Sequence, residues 1–574
     1  MNAAGLCVRL AFGIALLSAC APATPARERE SVAGSVESAR ASQQDRTLVM
    51  VIRGEPVSLA SKPVQASGLS VRPATRLFNA ELDIADATDS PRPYLVEALP
   101  ELNTDTWRVF PDGRMETRYR LRANLIWHDG TPLSVEDFVF AWQVYQRPEF
   151  GQSGSTPVSL MEEVVAADAR TVIVRWKRPF PDAAFLRETF QPLPSHLLAI
   201  EFQQRDPDGF GNLPYWSTEY VGLGPYRLVR WEPGSHIEGA AFDGHVLGRP
   251  KIDRVVVRFL PDENVVLSNV LSEQVHFTAF QTLRYEHAQV LKREWGGTPK
   301  GVIIQVPAQL RFIHVQVRPD IVTPRALLDV RTRRALAHAI DRQALDEGLY
   351  NGEGIVTETF LPKTVPYWAE IDRAIAKYPY DQRQTDQMMD EMGYRKGSDG
   401  VFVGIDGERF LLDFWGDAGT GFEKELAAVA EGWQRIGIES QLTTVPVAQF
   451  RNGQYRNSFR GVYSSAGPAS SEREMRMMTS ANIATSGNGW TGSNRGGWSN
   501  AEYDRLWESF STTLEREDRI RLVISMEKLI AEQLPMIMQF HNPSVVTHHL
   551  AVRGPDPRAP HDLVLWNIHE WEMR

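Results

Sequence analysis

The chain reads as a large α/β protein built in two or more lobes, and three observations carry that reading. It has 574 residues, 43% of them hydrophobic, which is more apolar material than one core accommodates. From Leu411 to Val445 the pattern is strand, helix, strand. Leu411 to Trp415 are extended, and Phe422, Leu426, Val429, Trp433 and Ile436 recur at helical spacing; Gly437 then stops the helix and Ile438 to Val445 are extended again. Earlier, Tyr119, Leu121, Ala123, Leu125 and Trp127 alternate with Arg118, Arg120, Arg122 and Asn124, the period of a strand with one buried face, broken only by Ile126.

The remaining elements follow in order. Arg9, the apolar run Leu10 to Leu17 and the small residues Ser18 and Ala19 before Cys20 read as a secretory signal over residues 1–19, too short to span a bilayer. Leu17-Ser18-Ala19-Cys20 resembles the bacterial lipoprotein box, which makes Cys20 the expected lipidation site. Residues 20–44, rich in Ala, Ser, Pro, Arg and Glu, read as a flexible tether. Thr47 to Ile52 suits a buried strand, Phe78 to Leu82 follow, and Pro91, Pro93 and Pro100 punctuate a loop. After Trp127, His128 to Pro132 supply turn residues; Ser134 and Asp137 form a capping box for a helix from about Val135 whose stripe is Phe138, Val139, Trp142 and Tyr145. Strands are expected at Arg170 to Trp176, Tyr226 to Trp231, Phe312 to Val317 and Met538 to Thr547. Helices are expected from a turn at Pro192, over Leu328 to Arg342 with Asp329 as N-cap, from Asp381 to Gly393, and over most of Glu502 to Gln533.

Composition excludes several classes. The net charge of -10 is modest and forms no long block, so nucleic acid is not expected as a partner. Both cysteines, Cys7 and Cys20, fall in the first twenty residues, leaving the body without disulfide, cysteine metal site or thiol nucleophile. His548-His549 and His569-Glu570 lack metal-protease spacing, and no Gly-x-Ser-x-Gly elbow occurs. Gly487-Asn488-Gly489-Trp490-Thr491-Gly492 matches a dinucleotide fingerprint as a string, but no strand precedes it; it reads as a loop holding Trp490. Neither catalysis nor a cofactor nor a metal is expected.

Four segments carry a family resemblance. Leu121-Arg122 with Trp127-His128-Asp129-Gly130-Thr131-Pro132-Leu133-Ser134-Val135-Glu136-Asp137 resembles the signature of the family 5 extracellular solute-binding proteins, the oligopeptide- and dipeptide-binding lipoproteins of ABC transporters. Gly222-Leu223-Gly224-Pro225-Tyr226, Pro250 to Arg258, and the helix from Asp329 to Arg342 continue it. Near Ser272 to His276 the chain departs from the family's usual Gly and Asp. The resemblance covers roughly residues 45 to 550. It implies a two-lobed α/β fold like that of periplasmic binding proteins, with an extra subdomain and a hinge. The first lobe is expected over 45–310 with a subdomain at about 78–204, the second over 311–525, and the return to the first over 526–574.

The site follows from the same comparison. Gly461 to Pro468 correspond to the family's Trp-x-x-Asp-Tyr segment, whose aspartate pairs with a peptide's α-amino group in peptide-binding members. Ser465 stands near that aspartate's place and cannot supply its charge; Asp417 is a possible substitute. Trp433 is core by periodicity, whereas Trp415, Trp490 and Trp498 suit a cleft, and Arg495 suits a carboxylate. The ligand-binding set expected is Phe78, Asn79, Trp415, Asp417, Tyr463, Ser464, Ser465, Trp490 and Trp498. The function implied is a lipid-anchored, monomeric importer component that captures a peptide or other small solute and delivers it to a membrane permease, on the periplasmic or cell-surface side. The alternatives are a binder of a sugar, opine or metal chelate, and a sensor or receptor lipoprotein.

Overall fold

The computed structural model describes residues 46–60, 72–150, 153–186, 189–450, 452–467, 471–558 and 564–574. The chain divides into units 1–44 and 45–574. The expected signal, tether and lipidation site at Cys20 lie outside the described residues.

Eleven strands form one mixed sheet. In chain order they are β1 (Thr47–Ile52), β2 (Tyr226–Glu232), β3 (His236–Ala241), β4 (Arg254–Phe259), β5 (Phe277–Leu283), β6 (Gly301–Val315), β7 (Ile355–Val356), β8 (Leu411–Asp417), β9 (Glu439–Val445), β10 (Val462–Gly467) and β11 (Met536–His549). Across the sheet the order is β9-β8-β10-β6-β11-β5-β1-β4-β3-β2, with β7 beside β11. A separate four-stranded sheet holds Trp107–Val109, Met115–Arg120, Thr171–Trp176 and Met161–Asp168.

β6 and β11 are antiparallel and run through both halves of the large sheet. Gly301 to Val306 pair with His549 to Ser544, and Leu310 to His314 pair with His541 to Met536. Between these runs Pro307 faces Pro543, and the register shifts before Leu310. Neither proline has an N–H to give the ladder. Asn542 Oδ1 instead accepts from the Gln309 backbone N–H at 2.9 Å.

The apolar cores divide at the same place. Ile304, Val306 and Val546 belong to a core with Phe78, Trp127, Tyr226 and Trp571. Ile313, Val315 and Ile537 join Leu336, Phe414 and Trp433 under the helices Val330–His338 and Thr420–Ile436. Leu310, Phe312 and Met538 face the opposite way, against Met475, Trp498, Tyr503 and Val523. The alternation of a strand thus gives the second half of the sheet a core on each face.

Several boundaries differ from expectation. The strand that alternation extends to Trp127 ends at Arg120, because Asn124 takes a left-handed φ of 60° and turns the chain. The helix expected through Arg342 breaks after His338, and Asp341 caps a new helix, Arg342–Tyr350, by accepting from the Ala344 N–H at 2.9 Å. The Glu502 to Gln533 stretch is two helices, Ala501–Thr512 and Arg516–Gln533. Half of the expected capping box forms: Asp137 reaches back to the Ser134 N–H at 2.9 Å, while the Ser134 hydroxyl donates to the same carboxylate at 3.4 Å. Gly437 does end its helix, at φ 104°.

Asp137 has further partners. Its carboxylate also accepts from Trp127 Nε1 at 3.2 Å and from the Ser195 N–H and hydroxyl at 2.9 and 2.7 Å. It therefore ties the turn after the strand, the helix Glu136–Tyr145 and the start of the helix Ser195–Gln204 at one buried point.

His128 fastens this unit to the large sheet. Its Nδ1 accepts from the Gly222 N–H at 3.1 Å, so Nε2 carries the proton and donates to the Gly224 carbonyl at 3.0 Å. The His128 N–H donates to the Gly222 carbonyl at 3.0 Å, and the Gly224 N–H donates to the Phe78 carbonyl at 3.0 Å. A Cβ on Gly222 or Gly224 would overlap the Phe78 and Asn79 backbone. Only glycine lets the three segments approach this closely.

A protonated ring could not accept from Gly222. Burial holds the His128 imidazole down at about 4, against an ordinary 6.5. Its folded pKa is depressed, so the stability it contributes is present above pH 6.5 and lost as pH falls through about 4, up to about 3 kcal/mol. Urea unfolding of wild type and His128→Gln between pH 7.5 and 4.5 checks this. The variant is less stable at pH 7.5 and loses less on acidification; parallel pH slopes would contradict the assignment.

Candidate functional site

The second half of the sheet places three rings in one row. Trp415 on β8 is paired with Tyr463 on β10, which is paired with His314 on β6. The segment after β9 folds over them: Tyr455 packs on Trp415 at 5.2 Å between ring centroids, and Phe459 on Tyr463 at 5.5 Å. Trp415 Nε1 donates to Asp413 Oδ1 at 2.6 Å, and the Arg460 N–H donates to Asp413 Oδ2 at 2.9 Å.

Asp417 ends β8 and is engaged within the protein. Arg456 Nη2 donates to its two oxygens at 2.8 and 3.0 Å, and the Tyr463 hydroxyl donates to it as well. Arg456 Nε donates to the Tyr463 oxygen at 3.2 Å. Burial and the Asp417 carboxylate push the Tyr463 phenol up to about 12. The Arg495 guanidinium lies over the Tyr463 ring at 5.3 Å, and its own pKa is held down by burial and by Arg456.

The other face of the same strands carries a buried ion pair. Arg311 Nε donates to Glu425 at 2.7 Å with side chains 3% and 1% exposed, and the Ser464 hydroxyl donates to the other Glu425 oxygen at 3.0 Å. The Arg311 guanidinium stacks on Phe422 at 4.0 Å, and its Nη2 is buried with no partner among the described residues.

The structure thus brings Trp415, Asp417, Tyr463, Ser464 and Ser465 onto neighbouring strands, with Ser464 and Ser465 on opposite faces. Ser465 is buried opposite Phe312. Trp490 is half-buried in the left-handed conformation at φ 61° and lies against Gly453. Trp498 is 6% exposed and packs on Tyr503 at 5.2 Å, inside the core of Met475 and Val523. Phe78 and Asn79 sit elsewhere, in the first core. Asn79 donates to the Thr75 carbonyl at 2.7 Å and to the Leu59 carbonyl, and accepts from Tyr220. Residues 486–488 form a short 3-10 turn with no strand before it, unlike a dinucleotide loop.

Arg456, Arg311, Glu425 and His314 escaped the sequence reading. Glu425 left a signal: it lies three residues after Phe422 and one before Leu426, a charge inside an apolar stripe. Among the described residues no group of three or more His, Cys, Asp or Glu could hold a metal, and no helix is long and apolar enough to cross a membrane.

Several contacts between the halves are polar, beside the edge-on packing of Tyr285 on Tyr350 at 5.4 Å and Leu514 against the first core. Asp182, near Phe180 of the first core, accepts from Arg473 at 2.8 Å and Arg519 at 3.0 Å. Arg178 meets Glu508 at 2.7 Å. On another part of the boundary Lys292 meets Glu353 at 2.8 Å, and Asn351 donates to the Tyr285 oxygen at 3.0 Å.

A two-lobed α/β scaffold joined by two long strands, with polar contacts between lobes, belongs to the class of lobed binding proteins. A match to the family described as bacterial extracellular solute-binding proteins, family 5 Middle, spans residues 97–484, and the chain belongs to this family. Family 5 proteins are substrate-binding, non-catalytic components of ABC transporters, extracellular or periplasmic. The chain is 24% identical to the oligopeptide-binding protein AppA of Bacillus subtilis over 74% of this chain and 72% of that one. It is 22% identical to the dipeptide-binding protein of Escherichia coli over 91% and 94%. The structure of NikZ from Campylobacter jejuni in complex with Ni(L-His) superposes with a TM-score of 0.72 at 18% identity, covering 92% of this chain and 99% of that one.

The Arg311–Glu425 pair makes a direct prediction. Arg311→Met strands a buried carboxylate and lowers stability by about 3–5 kcal/mol, while Arg311→Met with Glu425→Leu recovers most of the loss. Denaturant melts of the single and double variants check this; a double variant no better than the single would contradict it.

Proposed function

We propose that the chain is the solute-capturing lipoprotein of an ABC importer, closing its lobes on a peptide or peptide-like solute and presenting it to a membrane permease. We place the division between lobes at Pro307 and Pro543, supported by Met526, Ile530 and Met538 packing with Met475 in the second half. This crossing carries the reading, because two strands without proline ladder bonds are a narrow joint between separately packed cores. The half-buried Trp415 supplies apolar area beside the buried Tyr463, and the Trp490 backbone lies against Gly453 in the segment that covers them. Lipidation at Cys20 holds the protein to the membrane as a monomer.

One observation favours a second reading, in which the solute is not a free-amine peptide. Asp417, the candidate partner for an α-amino group, is already occupied by Arg456 and Tyr463. A chelate or other non-peptide solute, of the kind named for NikZ, needs no such partner.

Native mass spectrometry of protein purified without denaturation tests both readings. A mature chain beginning at an acylated Cys20 and retaining a ladder of peptide masses is expected, with Cys20→Ser moving the protein to the soluble fraction. A single non-peptide mass moves the assignment to the second reading. An unmodified Cys20, and no retained mass even with peptides in excess, contradict the proposal.

A further inference from the structure

Around Tyr463 the hydrogen bonds do not close, although the two carboxylates and two guanidiniums are equal in number. Both carboxylates on that face have partners inside the protein: Asp413 holds Trp415 and the Arg460 backbone, and Asp417 holds Arg456 and Tyr463. Two guanidiniums are present against Asp417, those of Arg456 and Arg495. Arg495 Nη1 is fully buried and donates to no acceptor among the described residues. Nδ1 of His314, the ladder neighbour of Tyr463, is also buried without a partner among them, and His314 is 1% exposed.

Arg495 is held in place by its loop. The Asn494 side chain donates to the Trp498 carbonyl at 2.7 Å and to the Met478 and Thr479 carbonyls at 3.2 Å, and accepts from the Trp498 N–H at 3.1 Å. The Gly496 carbonyl accepts from the Val317 N–H at 2.9 Å, and a Cβ on Gly496 would overlap the Val315 backbone. The loop is therefore fixed on both sides of Arg495, by Asn494 to Met478, Thr479 and Trp498, and by Gly496 to the end of β6. A fixed, half-buried cation that shares Asp417 with Arg456 and keeps one buried N–H without an acceptor among the described residues is completed by an anion. The guanidinium fork matches a carboxylate, and the unpartnered Nδ1 of His314 is a second donor to it in the tautomer that carries its proton there.

We infer that Arg495, beside His314 and over the Tyr463 ring, receives a carboxylate of the bound solute, and that the site selects solutes by this negative group with no requirement for an ammonium. The inference rests on the solute-binding reading and names its substrate class. Asp417 then acts as a positioning residue, holding Arg456 and the Tyr463 hydroxyl, and does not itself receive the solute.

Calorimetry with four forms of one dipeptide, alanylalanine, tests this: unmodified, N-acetylated, C-terminally amidated, and both. Citrate serves as a fifth, non-peptide probe. The unmodified and N-acetylated forms are expected to bind within threefold of each other, and amidation to weaken binding at least tenfold. Arg495→Gln is expected to remove the difference between acid and amide, and Arg495→Lys to keep part of it, both with the wild-type far-ultraviolet spectrum. Citrate binding that Arg495→Gln abolishes also supports the inference. Binding of the amide with its free ammonium as tightly as the acid overturns it, as does an acid-to-amide ratio unchanged in Arg495→Gln. If no probe binds, the solute released on denaturing the natively purified protein decides: one bearing a carboxylate supports the subsite, and one without overturns it while the solute-binding reading stands. No probe bound and no solute released overturns both.

Discussion

Everything in the described body hangs on two strands. β6 and β11 pair along their length, yet each serves two cores, one on either side of the Pro307 and Pro543 position. Among the described residues only these strands cross, and each half buries most of its apolar surface in cores of its own. Trp127, Tyr226 and Trp571 fill the first core, while Phe414 and Trp433 fill one of the second half's. The boundary between halves carries charged groups such as Asp182, Arg473 and Arg519, beside the packing of Tyr285 on Tyr350, and the charged groups gain water when the halves part. That division of labour permits closure about a joint without exposing either core.

Much of the fold was legible in the sequence, for local physical reasons. Thr47 to Ile52, Arg170 to Trp176 and the strand, helix, strand run after Leu411 fall close to their expected bounds, because hydrophobic period and a glycine stop agree there. The family segments were legible as strings, and the structure supplies their reasons. His128 bonds both Gly222 and Gly224, and Asp137 gathers Trp127, Ser134 and Ser195. What misled was tertiary override. Nothing in the alternation marks Asn124 as a left-handed residue, and nothing in the periodic stretch through Arg342 marks the break that Asp341 caps.

The site was legible in part. The strands bearing Trp415, Tyr463 and Ser464 were found because strand ends and a family motif mark them. Their polar partners were not, since Arg456 reaching Asp417, or Arg311 reaching Glu425, is a matter of side-chain direction across strands far apart in sequence. Trp498 shows the opposite case: a tryptophan in a glycine-rich loop lies inside a core, because Asn494 folds that loop inward. The unpartnered Arg495 Nη1 therefore bears more directly on the proposed solute than the count of aromatic rings does.

Capture, as proposed, works by closure of two lobes about the Pro307 and Pro543 joint. A chain starting after Cys20 has no cysteine, so cysteines introduced at the exposed positions Asp208 and Glu502 accept spin labels specifically. Dipolar spectroscopy would compare natively purified protein with protein stripped of solute by unfolding and refolding. The account predicts one short distance with solute and a longer, broader distribution without it. A single distance, identical in both preparations, would contradict closure.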